Sequence, residues 1–218
     1  APCGVPALRY LMLVEVPLLL GTMSLSTLDG FALIAYAWEQ ETMYYVRLAS
    51  WPASGLAILL SLPLLRLVGP RRTLQLGVLS LCLALPVACL AQWHSHLLFL
   101  ALVLAGGVAL GVLPALRLVA TQVPPAQQAA ATATVLAVGH GAKAVGLAMH
   151  AYLFEAAAAR GLLYAPFALG ACFAWLALAV AVLFPPPDDA WRSSPHAAAY
   201  AARERREGKE RGRCAREE

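Results

Sequence analysis

The sequence predicts an all-α polytopic membrane protein. Three observations carry that prediction. Of 218 residues, 61% are hydrophobic and only 13% are charged, against about 25% charged in a soluble domain, and the mean hydropathy is +0.69. The charge is segregated: much of it follows Pro185, and long stretches before that carry none. Apolar runs long enough to cross a bilayer, which takes about 20 residues at 1.5 Å each, recur six times.

Residues 1–9 form a short N-terminal segment. The first span, Tyr10–Ala37, contains Glu15, Pro17 and Asp29. The break Trp38-Glu39-Gln40-Glu41 leads into the second span, Met43–Leu65. A basic turn containing Arg66, Arg71 and Arg72 precedes the third, Thr73–Ala91. Gln92-Trp93-His94-Ser95-His96 separates it from the fourth, Leu97–Leu116, and Val123-Pro124-Pro125-Ala126-Gln127 precedes the fifth, Ala129–Phe154. The sixth, Leu162–Phe184, has no charged residue and ends at Pro185-Pro186-Pro187, where proline cannot continue a helix. Residues 185–218 form a charged soluble tail in which Arg203–Arg211 mixes both signs. Barrel strands are excluded because they alternate polarity and these runs do not. A signal peptide does not fit the N-terminus, whose apolar run is too long and lacks a cleavage pattern.

The loops orient the chain. With the N-terminus on side A, that side holds Arg9, Arg66, Arg71, Arg72, Arg117 and the Arg-rich tail, while side B holds only Arg47 and Arg160. Lys/Arg-rich loops stay cytosolic, so both termini are expected inside. The basic residues flank apolar spans instead of forming a patch with aromatics, so nucleic acid is not an expected partner. Cys82, Cys89 and Cys172 lie inside spans as small hydrophobes, and Cys3 and Cys214 fall on the reducing side. His94 and His96 have no neighbouring Cys or carboxylate and read as a solvated loop, so no metal site or cofactor is expected.

Two spans carry polar stripes. In the first, Glu15, Thr22, Ser26 and Asp29 are spaced by 7, 4 and 3, which puts them on one helical face. In the fifth, Thr132, Gly139, His140, Lys143 and His150 share a broad face. The third and sixth hold no charged residue and can face lipid all round. Ionisable groups in a bilayer usually face a bundle interior or a wet cavity. Glu15, Thr22, Ser26, Asp29, Thr132, His140, Lys143 and His150 are therefore the candidates for a substrate or proton pathway. Lys143 is expected to face the cavity and bind an anionic group or couple proton movement, with Asp29 a candidate partner; the alternative is a structural ion pair that holds two helices together. Gly107 and Gly111 form a GxxxG beside Gly106, a mark of close helix packing, and Pro63, Pro86 and Pro114 are candidate kinks.

The turn Arg66-Leu-Val-Gly69-Pro-Arg71-Arg72-Thr73-Leu-Gln-Leu-Gly77 resembles the loop between the second and third helices of each half in major facilitator transporters. Leu65 stands where the full signature has an acidic residue. Leu113-Pro114-Ala115-Leu116, then Gln127-Gln128, then Leu169-Gly170-Ala171-Cys172 through Leu183-Phe184-Pro185 resemble, in order and spacing, the C-terminal half of the hippocampus-abundant-transcript-like branch, relatives of bacterial tetracycline exporters. The resemblance runs from the first span to Pro185. It implies one six-helix half of a twelve-helix fold, with Arg66, Gly69, Arg71 and Arg72 in the gating loop. It further implies that the first, second, fourth and fifth helices border the cavity, and that access alternates between sides.

The expected function is transport of a small organic solute, driven by a proton or substrate gradient. Partners are the lipid bilayer, a solute of unknown identity, and a missing N-terminal six-helix half or a second copy. The alternatives are a homodimeric half-size transporter and a non-transporting scaffold or receptor. No convergent nucleophile–base set, HExxH or nucleotide-binding loop occurs, so an enzyme is not expected.

Overall fold

The computed structural model describes residues 6–123 and 125–184. The first five residues and the tail from Pro185, with Cys3, Cys214 and the mixed-charge run, lie outside the described residues. Every regular element among the described residues is helical. In chain order these are α1 (Pro6–Thr22), a 3-10 turn (Met23–Thr27), α2 (Leu28–Tyr36), α3 (Gln40–Leu67), α4 (Pro70–Leu90) and α5 (His96–Gly106). A second 3-10 turn (Gly107–Gly111), α6 (Val112–Gln122), α7 (Pro125–Ala158) and α8 (Ala165–Leu183) follow.

Five segments are long and apolar enough to cross a membrane: Leu8–Tyr36, Gln40–Leu67, Pro70–Leu90, His96–Ala120 and Ala165–Leu183. They match all the predicted spans except the fifth to within a few residues at each end. That one falls in α7, which is 34 residues long but is diluted by alanine, Gln127, Gln128, His140, Lys143 and His150. Helices overrun several predicted spans. The second begins at Gln40 instead of Met43, and α7 extends beyond 129–154 at both ends. Hydropathy marks where side chains turn polar, whereas the backbone ladder continues past that point. The sixth is shorter than predicted and starts at Ala165, after a turn in which Gly161 has a φ of +71°.

The basic turn has a local cause. Gly69 has φ 86° and ψ 164°, a conformation open essentially to glycine, and the next helix starts with Pro70, whose fixed φ suits that position. Thr73 donates to the Gly69 carbonyl from both its backbone N–H, at 3.1 Å, and its hydroxyl, at 2.8 Å.

α1, α4 and α8 make the core. α4 buries Leu74, Val78, Leu81, Leu85 and Ala88, a heptad-like stripe. It packs on α8, whose buried positions from Gly170 onward are small: Gly170, Ala174, Ala177 and Ala181. Large residues on one helix against small ones on the other let the backbones approach closely. The tightest crossing joins α1 to α8. A Cβ placed on Gly21 would lie 2.9 Å from the Gly170 carbonyl oxygen, and one on Gly170 would lie 2.5 Å from Ser24 Oγ. The expectation that the third and sixth spans face lipid all round is therefore corrected. Half (50%) of the apolar 18-residue stretch of the third segment is buried, against 17% of that of the second and 17% of that of the fourth. A span without charged groups is compatible with lipid or with protein, and here one face meets protein.

The two ends of the described bundle meet. The Tyr10 hydroxyl donates to the Ala181 carbonyl at 3.3 Å, and Gln75 Nε2 donates to the same oxygen at 2.9 Å. That carbonyl belongs to the last turn of α8, where no helical N–H is left to bond it. At the opposite end the Tyr36 hydroxyl donates to the Ala91 carbonyl. Phe31 lies edge-on to both Tyr36 and Phe167 there.

A candidate solute cleft

The first and fourth segments are both interrupted near mid-length by 3-10 turns. The sequence of the first turn explains its break. Thr22, Ser24, Ser26 and Thr27 each donate a hydroxyl hydrogen bond to the carbonyl three residues back, at 2.6–2.8 Å. Such back-bonding competes with the regular ladder and bends helices. In the fourth segment, Gly106, Gly107 and Gly111 fill the same role by size. A Cβ on Gly106 would meet Ser54 at 3.0 Å, and one on Gly107 would meet Ser80 Cβ at 2.7 Å. The GxxxG glycines thus pack on α4, with neighbouring Gly106 on α3, and serve the close packing read from sequence.

A cleft of about 390 Å³ opens between the two interrupted segments and α3. Thr22, Met23 and Ser26 come from the first turn. Arg47, Ser50, Trp51 and Ser54 come from one face of α3, at spacings of 3, 1 and 3. Leu102, Ala105 and Gly106 come from α5. Ser54 is near the middle of α3, about 21 Å from its start in a helix of about 42 Å.

The cleft is chemically uneven. Ser26 and Ser50 already donate their hydroxyl protons to backbone carbonyls and keep only acceptor capacity. Ser54 makes no hydrogen bond among the described residues and keeps its donor. Arg47 Nη2 pairs with Asp29 Oδ1 at 3.0 Å, while Arg47 Nε is enclosed without a partner. Asp29 also lines a smaller pocket of about 200 Å³ with Gly30, Trp38 and Gln40. The ion pair therefore joins two pockets.

The sequence candidates separate into three groups. Thr22 and Ser26 line the cleft, and Asp29 borders it through Arg47. The expected Asp29–Lys143 pairing is corrected: Asp29 binds Arg47 instead. Lys143 is exposed on α7, and its field reaches Glu15, on the opposite side of the turn from Asp29. Glu15 lies against α7 at Gly139, where an added Cβ would sit 3.7 Å from its Oε1.

The broad face read on the fifth span divides in two. Gly139, Ala142, Gly146 and His150 are buried along α1, whereas Thr132, His140 and Lys143 are exposed. His150 Nε2 lies 3.0 Å from the Leu20 carbonyl, beside the point where the α pattern of the first segment gives way. Its Nδ1 is enclosed without a partner. In the basic turn, Arg66 and Arg72 are exposed and Arg71 is half-buried, within electrostatic reach of Tyr10.

Arg47, Ser50 and Ser54 were missed as site residues. Counting loop charges puts Arg47 among the orientation signals, although its spacing from Ser50 and Ser54 marks a polar face inside an apolar span. His94 and His96 are exposed in their turn with ring centroids 5.5 Å apart, and no group of three potential metal ligands comes together among the described residues. No protein-family model, curated protein or solved structure matches this chain.

Proposed function

We propose that the chain is a transporter, or the C-terminal half of one, that moves a small organic solute through the cleft by alternating access. One observation carries this reading. A polar cleft lies midway along apolar helices, between two segments interrupted beside it. A 3-10 stretch in mid-helix often marks a functional hinge, and secondary transporters hold solute near mid-membrane beside irregular helix segments. The cleft uses the first, second and fourth segments, three of the four that the major facilitator resemblance assigns to the cavity.

We read α7 as a sixth crossing. It runs parallel to the first segment, with Gly139 near Glu15, Gly146 against Met23 and Phe154 against Gly30. A helix docked along that length traverses the same depth. Its exposed face with His140 and Lys143 would meet lipid in an isolated half, so it is assigned to a missing N-terminal half or a second copy. Both termini are cytosolic on the Lys/Arg asymmetry, and Arg66, Gly69, Arg71 and Arg72 form the gating loop.

Uptake into proteoliposomes tests the function. The chain co-reconstituted with its other half, or as a crosslinked dimer, should take up at least one solute from a panel of small organic anions, cations and neutral compounds. Ser54→Trp, which fills the cleft, should abolish that uptake. Uptake equal to that of empty vesicles for every solute would leave a scaffold. Transport by a purified monomer would refute the need for a partner. For orientation, a cysteine at Ser95 should react with an impermeant reagent from outside and one at exposed Arg72 should not. Reversed labelling would overturn the orientation.

A further inference from the structure

We propose that the cleft binds an organic anion, with the Arg47 guanidinium receiving its carboxylate and Asp29 serving as the internal counterion that the carboxylate displaces. The inference rests on the reading of the same cleft as a solute site and names the class of solute.

Arg47 is a strong donor that is only partly used. Its Nη2 is held by Asp29, its Nε is enclosed without a partner, and the side chain, still 39% exposed, lines the cleft. A guanidinium presents its N–H groups as a planar fork that suits carboxylate oxygens two at a time. Asp29 uses one edge of that fork. It is the more exposed member of the pair, at 55% against 39% for Arg47, so it gives up less on leaving. It also has a place to go, since it lines the smaller pocket beside Gln40.

An arriving carboxylate would exchange partners on a cation that is already present. The apolar span gains no uncompensated charge at Arg47, and the released Asp29 is left at the wetter end. Around this centre, the Ser54 hydroxyl supplies a free donor, and Trp51, Met23 and Leu102 supply an apolar wall. A carboxylate on a compact apolar body fits that division. A cation does not, because Arg47 would repel it and Asp29 is already neutralised.

Equilibrium binding to the full chain in lipid nanodiscs tests this without transport. The probes are radiolabelled benzoate and its neutral isostere benzamide, each counted above empty nanodiscs. Benzoate should bind saturably, and benzamide should bind weaker by about tenfold or more, the worth of charge-assisted hydrogen bonds. Arg47→Gln should lose about tenfold of benzoate affinity and leave benzamide unchanged. Asp29→Asn should tighten benzoate by about threefold, because the competing carboxylate is gone.

A pair that serves only to hold two helices together predicts the opposite sign for Asp29→Asn: weaker binding or none. Equal binding of benzoate and benzamide, absence of saturable benzoate binding, or weaker benzoate binding by an Asp29→Asn protein with unchanged helical circular dichroism would each overturn the proposal. The comparison of benzoate with benzamide on the unaltered chain decides the matter even if the variants do not fold. A chain that takes up solutes but does not prefer anions refutes this inference alone. A chain that binds benzoate but transports nothing refutes the transport reading alone.

Discussion

α4 and α3 are both apolar enough to cross a membrane, yet the molecule uses them in different ways. α4 buries nine of its 21 residues and packs on α8 and α5, whereas α3 buries only Met43, Ser50, Ala57 and Ser61 of its 28. Glycines show the same division. Gly21, Gly77 and Gly170 lie where an added Cβ would come within 3.0 Å of a neighbouring atom, whereas Gly55 on α3 and Gly141 on α7 face open space. One region is a packed spine. The other carries the polar cleft and an unoccupied outer face. Hydropathy places both in a membrane and says nothing of which face is packed.

The largest effect should come from truncating the spine. Leu81→Ala removes a fully buried side chain from the α4–α8 contact and should cost about 2–5 kcal/mol in a denaturant titration followed by circular dichroism. Leu59→Ala on the exposed side of α3 should stay within about 0.5 kcal/mol. Similar losses at both sites would break the contrast between the two regions.

Overfilling comes next. Gly170→Leu should cost up to about 3 kcal/mol, because its Cβ would collide with Ser24 and the Gly21 backbone. Gly55→Leu and Gly141→Leu should be neutral or gain up to about 1 kcal/mol from helix propensity. A loss at Gly55 or Gly141 that appears only in the assembled protein would locate the partner's surface on that face.

Within the first 3-10 turn the contrast is smaller. Ser24 is buried and Ser26 is exposed, though both hydroxyls bond the carbonyl three residues back. Ser24→Ala should cost about 1 kcal/mol and Ser26→Ala close to nothing. Equal costs would show that the turn, and not its burial, sets the energy. The smallest effect is expected at Lys143, which is exposed and makes no direct ion pair among the described residues. Lys143→Gln should change stability by less than about 0.5 kcal/mol. A large loss would instead mark Lys143 as a structural partner of Glu15.

The sequence alone determined the class, because bilayer insertion depends on summed apolar content along short stretches, a local property. It placed five membrane-capable segments to within a few residues and located the basic turn, whose backbone is dictated by Gly69 and Pro70. It also found Thr22, Ser26 and Asp29, because a polar residue in an apolar helix stands out against its neighbours. Tertiary structure decided which of these groups meet. Asp29 and Lys143 looked like partners because both are charged and deep, yet pairing depends on which helices are adjacent and at what rotation. That depends on close fits such as Gly21 on Gly170 and Gly139 under Leu19. The same fits bring Arg47 to Asp29, turn Gly139 and His150 inward, and leave Lys143 outside. No one-dimensional pattern encodes them, because each depends on the shapes of two surfaces far apart in the chain.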